Sequence, residues 1–287
     1  KLKTEKDQKK KAELQKAVEK HEQERRRVDA EIYKVGARLP AAMVMREAKK
    51  VRKAYILKRG EYDQLGDVVE RNTPEFLPPL KKKNELASRM DFANWLIESN
   101  PLTARIAVNR FWQQLFGTGL VKTSEDFGAQ GEVPSHPELL DFLTVAFQKS
   151  GWNVKSLMKY MVMSKTYRQS SRHRLEYASS DPDNRLLHRQ NRKRVEAEII
   201  RDLHLSVAGL LNTETGGESQ FPPIPADVAA QSFANNFKWN VSKGGNRYRR
   251  GMYTFFKRTA PAPNLMTFDC PDSNSSITQR NVSNTPL

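Results

Sequence analysis

Residues Asn100 to Ser171 read NPLTARIAVNRFWQQLFGTGLVKTSEDFGAQGEVPSHPELLDFLTVAFQKSGWNVKSLMKYMVMSKTYRQSS, and their spacing decides the fold class. Asn100-Pro101 ends one helix, because the residue before a proline is driven out of the helical region. Thr103 to Phe116 then carries apolar residues at helical spacing until Gly117 and Gly119 stop it. A glycine- and acid-rich loop follows, from Thr123 to Val133. Ser135-His136-Pro137-Glu138 reads as a capping box with an early proline, which starts a helix over 136–149. Asn153 is placed to cap the next, Val154 to Met163.

Working outward, Ala87 to Glu98 is an amphipathic helix with Met90, Ala93, Trp95 and Leu96 among its apolar residues. Val195 to Leu211 has the strongest helical pattern in the chain. The five helices 87–98, 103–116, 136–149, 154–163 and 195–211 are expected to share one core, so the fold is mainly α. Residues 1–40 form a charged helical arm. Its thin seam, Leu14, Val18, His21, Arg25, Val28, Ile32 and Val35, steps like a coiled coil and implies a helical partner for residues 1–35. Gly36 and Pro40 close that helix. Residues 41–84 hold a short strand within Arg52 to Tyr62, turned at Gly60, and a linker with Thr73, Pro74, Pro78 and Pro79. A helical core spans 85–211. Residues 212–287 form an extended, β-containing segment that reads as truncated, with a strand expected over Arg249 to Arg258.

Lys and Arg total 49 against 33 Asp and Glu, a formal charge of +16 on 287 residues. That balance suits anionic partners: nucleic acid, acidic or sulfated glycan, a membrane surface or an acidic protein. The single cysteine, Cys270, excludes an intrachain disulfide and a Cys-based zinc cluster. Without a C-x-x-C-H run the chain cannot attach a c-type haem by itself. No apolar run approaches the roughly 20 residues that a membrane helix requires. The chain opens at Lys1 and reads as a processed or partial product.

Several phrases recur together and in order. They begin with Leu57-Lys58-Arg59-Gly60, Asn100-Pro101-Leu102-Thr103-Ala104-Arg105 and Asn109-Arg110. Asp126-Phe127-Gly128, Pro134-Ser135-His136-Pro137-Glu138-Leu139-Leu140-Asp141 and the run from Ser164 to Ser171 follow. Then come Ala197-Glu198, Arg201-Asp202, Tyr253-Thr254-Phe255, Lys257-Arg258-Thr259, Arg280 and Asn284-Thr285-Pro286-Leu287. With these the chain resembles, from about residue 50 onward, a planctomycete-type family of unknown function that is associated with cytochrome c domains. The resemblance implies a periplasmic or secreted setting, a cytochrome c domain or redox partner, and a role in the oxidative or degradative handling of polysaccharide. Haem c would then sit on a separate domain or partner, with no cofactor in this chain. No catalytic residue comes with the resemblance.

The residues suggest two kinds of site, one for an enzyme and one for a binding module. Asp126, Glu132, His136 and Arg110 are candidate catalytic residues, with Glu198, Arg201 and Asp202 as further candidates beside them. Glycines can fold the loop so that carboxylates meet a helix start, beside an imidazole able to act as general acid or base. The alternative is an Arg110–Asp126 ion pair that fixes the loop, with His136 a plain early-helix residue. Likewise Glu198, Arg201 and Asp202 read either as part of the site or as a structural network between helices. Arg168, Arg192, Arg194, Trp239, Arg247, Tyr248 and Arg249 are candidate binding residues for anionic polysaccharide or, as the rival polymer, nucleic acid. The alternative there is that the aromatics are core. Five histidines without an H-E-x-x-H run suggest no metal site.

Overall fold

A computed structural model describes residues 2–36, 42–48, 50–230, 238–258, 261–271, 274, 276–280 and 283. Among them the chain is mainly helical, with one two-stranded antiparallel sheet. It divides into two compact units, one of residues 1–74 and 79–92, the other of residues 75–78 and 93–287. Pro40 and the Asn284–Leu287 phrase lie outside the described residues.

In the first unit, α1 (Leu2–Gly36) is a single long helix. From Leu14 onward its seam residues are exposed, Leu14 and Ile32 to 60% and 63%. β1 (Ala54–Leu57) and β2 (Leu65–Val69) pair with Ala54 opposite Val69 and Leu57 opposite Leu65. The strand expected across Arg52 to Tyr62 is therefore shorter. A tight turn at Lys58–Gly60, with Arg59 at φ 55° and Gly60 at φ 80°, folds the chain back into a second strand that Gly66 and Asp67 obscured in the sequence. Glu47 accepts from Arg71 and from the Arg89 backbone N–H, and Arg71 also donates to Ala87 O, which ties down the ends of the proline-rich stretch.

α2 (Arg89–Glu98) begins at a reciprocal cap. Ser88 N–H donates to Asp91 Oδ2 at 2.9 Å while Asp91 N–H donates to Ser88 Oγ at 3.2 Å. Farther along the helix, buried Trp95 donates through Nε1 to Pro78 O.

The second unit is built around α3 (Pro101–Phe116), α4 (Pro137–Lys149) and α5 (Val154–Met163). Asn100 caps α3 by accepting from Leu102 N–H, and Asn153 caps α5 by accepting from Ser156 N–H. At α4 the expected capping box does not form. His136 occupies the cap position without a side-chain bond to the helix N–H groups, and Ser135 N–H instead donates to Leu120 O, closing the preceding loop. Pro137 at the first helical position still sets the start. Ala104, Val108, Trp112, Phe116, Leu140, Leu143, Phe147, Leu157 and Met161 interlock as the main core, and an Arg105–Asp141 ion pair spans α3 and α4 outside it. α6 (Lys165–Arg168) is a single turn capped by Ser164.

α7 (Ala197–Val207) departs from the single-core expectation. Its Ala197 packs with Ala262, Leu265 and Cys270 in a separate small core, beside the short helix α9 (Pro263–Met266). α8 (Ala226–Ala230) precedes it in the chain. The strand expected over Arg249 to Arg258 is absent: a 3-10 turn at Gly244–Tyr248 precedes the region and another at Gly251–Tyr253 lies within it, and its β-type pairing is reduced to isolated bridges at Asn212–Arg249 and Gln220–Thr254. The reason lies at Gly251, where a Cβ would come within 2.6 Å of Glu198 O, so the chain there is shaped to lie against α7.

Candidate functional site

The Thr123–Val133 loop folds on its own bonds. Thr123 Oγ1 donates to Asp126 O and accepts from Glu132 N–H, while Asp126 Oδ1 accepts from Gly128 N–H at 2.6 Å. Gly131 leaves no room for a Cβ beside the Asp126 carbonyl. Of the four candidate catalytic residues, Asp126 thus serves the turn and Glu132 pairs with Lys122 at 3.7 Å. His136 Nδ1 lies 3.0 Å from Ser135 Oγ, and Arg110 is exposed on α3. Among the described residues no hydrogen bond or ion pair links any two of the four. The expected Arg110–Asp126 pair does not form either.

Beneath the loop, Asn109 is fully buried and brackets Val121: Oδ1 accepts from Val121 N–H at 2.9 Å and Nδ2 donates to Val121 O at 3.0 Å. Gly119 must lack a side chain, since a Cβ would collide with the Asn109 amide. Arg185 continues the stitching, with Nη1 on Gly119 O and Nη2 on Leu120 O. Asp181 accepts from the N–H groups of Arg185 and Leu186. Asn184 donates to Arg189 O and Asn191 Oδ1, and Asn191 donates to Phe116 O. These bonds fix the arginine-rich segment on the helical core. A small cleft with room for little more than a water, lined by Trp112, Ser135, Asn184 and Arg185 among others, lies over them.

The same segment carries the exposed cations. Gln190 N–H donates to Ser170 O at 3.0 Å, and Gln169 Nε2 to Leu187 O, which joins the two limbs of the stretch. Arg168, Arg172 and Arg192 each lie within two residues of the 170–190 bond and all are exposed. Among the described residues none of the three enters an ion pair, whereas Arg174 pairs with Glu176 and Arg194 with Asp269. Arg194 is therefore a structural residue, and Arg172 takes its place on the candidate surface. The excess of arginine over carboxylate in the sequence is the signal for Arg172; only the fold shows which arginines stay unpaired.

Of the two aromatics expected on the binding surface, Trp239 is internal and Tyr248 is half-buried. Trp239 is buried, donates to Pro222 O at 2.8 Å and packs edge-on against Phe221, which stacks on Phe255. Arg247 lies over the Tyr248 ring and Arg249, itself buried, over Tyr253.

Around α7 a third cluster gathers residues far apart in sequence. Arg280 grips the Glu198 carboxylate with two nitrogens at 2.7 and 3.1 Å and also reaches Glu196. Asp202 accepts from Gly251 N–H and Arg250 Nε. Burial pushes the Glu198 carboxyl up, but the Arg280 bonds and a backbone N–H outweigh it and hold it below the usual range. Cys270 Sγ lies 3.8 Å from Glu198 Oε1, and burial together with that negative charge pushes the thiol up to about 11. Sequence spacing could not bring Cys270 and Arg280 to Glu198. Among the described residues no three His, Cys, Asp or Glu side chains converge as a metal site.

Residues 88–287 match the family PSD1, described as a protein of unknown function (DUF1553), and the chain belongs to that family. Neither the curated proteins nor the solved structures give a match.

Proposed function

We propose that the chain is a non-catalytic module that binds anionic polymer, sulfated glycan before nucleic acid. It would do so within an extracytoplasmic protein that handles polysaccharide together with a cytochrome c domain or redox partner. One observation carries this reading: Arg168, Arg172 and Arg192 stand exposed, and without ion pairs among the described residues, on a segment that is bonded firmly to the helical core. Guanidinium groups on a rigid support recognise sulfate and carboxylate with little loss of freedom on binding. The local engagement of Asp126, Glu132 and His136 argues against catalysis in that loop. The extracytoplasmic setting, the preference for glycan and the haem-bearing partner rest on the sequence resemblance.

The test replaces all three arginines, Arg168→Gln, Arg172→Gln and Arg192→Gln together. Because they are exposed, the variant should fold normally and leave a sulfated-glycan matrix at clearly lower salt than the wild type. Unchanged elution would remove this surface from the account. Asp126→Asn and His136→Ala should leave elution unaltered, and loss of binding in either with folding intact would return the loop to the site.

A further inference from the structure

From Leu14 to Gly36, α1 is one uninterrupted helix whose residues are all exposed. Leu14, Val18, Val28, Ile32 and Val35 lie in one heptad register along it, and each is 47% to 63% exposed. A helix in water gains little from its own hydrogen bonds and draws most of its stability from packing an apolar face. Here that face is uncovered. Three heptads, about 33 Å of helix, give room for knobs-into-holes packing with one partner helix.

The charges beside the seam define that partner. The positions that flank a heptad seam, e and g, hold Glu22, Glu24, Asp29 and Glu31. Lys16, Lys20, Arg26, Arg27 and Lys34 lie on the outer face, together with Glu19. Acid thus borders the seam and base faces away from it. Glu31 meets Arg27 of its own helix at 3.6 Å, and Glu22, Glu24 and Asp29 enter no ion pair among the described residues. A second copy cannot satisfy these groups. Parallel pairing would set g against e, and antiparallel pairing g against g and e against e, so acid meets acid either way. Arg25 stands in the seam itself, where a polar residue fixes register and a cation calls for a carboxylate opposite.

We propose that Leu14–Gly36 is one half of a heterotypic coiled coil, and that its partner is a helix of another protein with Lys and Arg flanking an apolar seam and a carboxylate opposite Arg25. Burial of the seam drives the pairing and the acidic flanks select the partner. The arm therefore attracts a basic helix although the chain as a whole carries a charge of +16. This surface is independent of Arg168, Arg172 and Arg192.

The experiment measures binding of two fluorescent three-heptad peptides to the whole chain by anisotropy. Both carry Ile and Leu in the seam with one Glu to face Arg25; one has Lys at every e and g position, the other Glu. The Lys-flanked peptide should bind at least about tenfold more tightly, as four exposed pairs of opposite rather than like charge require. General attraction by a chain of charge +16 gives the reverse order. Changing Glu22→Lys, Glu24→Lys, Asp29→Lys and Glu31→Lys together should invert the preference. Val28→Gln with Ile32→Gln should weaken the Lys-flanked peptide at least about tenfold, through lost apolar burial. The Arg168, Arg172 and Arg192 triple variant should bind it as the wild type does. Equal binding of the two peptides, or tighter binding of the Glu-flanked one, would overturn the proposal on the wild-type chain alone, whatever the variants' folding. So would a wild-type dimer in sedimentation equilibrium that the Val28→Gln, Ile32→Gln variant loses, since a second copy would then occupy the seam.

Discussion

Asn109 concentrates at one residue the logic that holds the central loop. Its amide replaces a backbone partner on both sides of Val121, deep in the core. Asn109→Ala leaves that N–H and C=O without acceptor and donor, and should cost about 2–6 kcal/mol on the usual penalty of ~1–3 kcal/mol for each buried polar group left unpaired. Chemical denaturation checks it, and a loss under about 1 kcal/mol would mean that water substitutes for the amide. Glu198 gives a prediction in pH. Its folded-state pKa lies below the ordinary 4.5, so its stabilising contribution is present above the unfolded value and disappears as pH falls through the folded value. Asp269, lowered chiefly by Ser283 and then by Arg194, acts in the same sense. Melting temperature should therefore drop on acidification below about 4.5, and Glu198→Gln, which does not titrate, should flatten that drop. An unchanged acid profile in Glu198→Gln would contradict the assignment. Cys270, with a thiol raised from 9.0 to about 11, should react with iodoacetamide at neutral pH about a hundredfold more slowly in the native chain than in the unfolded one.

Among the elements, α7 is turned opposite to the reading its pattern invites. Glu198, Arg201 and Asp202 face the protein, while Ile199, Leu203 and Val207 point outward, Val207 at 90% exposure. Apolar periodicity shows that a helix has two faces; it does not show which one is buried when the polar face meets guanidinium groups. That is why the pattern points to one core and the structure has two. α5 was legible through its cap, Asn153, which acts within three residues, and α3 through its apolar spacing, although Asn100, read as the end of the helix before it, is in fact its cap. α4 was legible in extent through Pro137, but its cap was not, because Ser135 bonds to Leu120 across the loop. The Arg249–Arg258 strand failed for the same kind of reason: alternating aromatics look extended, yet a distant contact with Glu198 bends the chain at Gly251. The candidate site followed this division, with arginine density readable locally and ion pairing set by remote partners such as Asp269 and Arg280. A pair of substitutions tests the placement of the helices. Leu140→Ala, in the main core, should cost about 2–5 kcal/mol, and Leu203→Ser on exposed α7 about 0.5 kcal/mol or less. Comparable losses from both would mean that α7 is buried in solution.

At the scale of the whole molecule, the described part of α1 contributes exposed side chains from Leu14 to Gly36. Removing residues 1–36 should leave the melting transition of the second unit within a few degrees of the full chain, as scanning calorimetry would show. Loss of cooperative melting would make the arm an integral part of the fold. The charge of +16 gives the chain a general attraction for anions, but the proposed function asks for more than net charge. The direct measurement is affinity for a sulfated glycan across a salt series, with DNA and a neutral glycan alongside, for the wild type and the Arg168, Arg172 and Arg192 triple variant. Each arginine–anion contact releases about one counterion, so the triple variant should flatten the log–log salt dependence by about 3. Sulfated glycan should bind more tightly than DNA at matched salt, and neutral glycan should not bind. Equal affinity for every polyanion with an unchanged slope in the variant would contradict a defined polyanion surface and leave only diffuse charge.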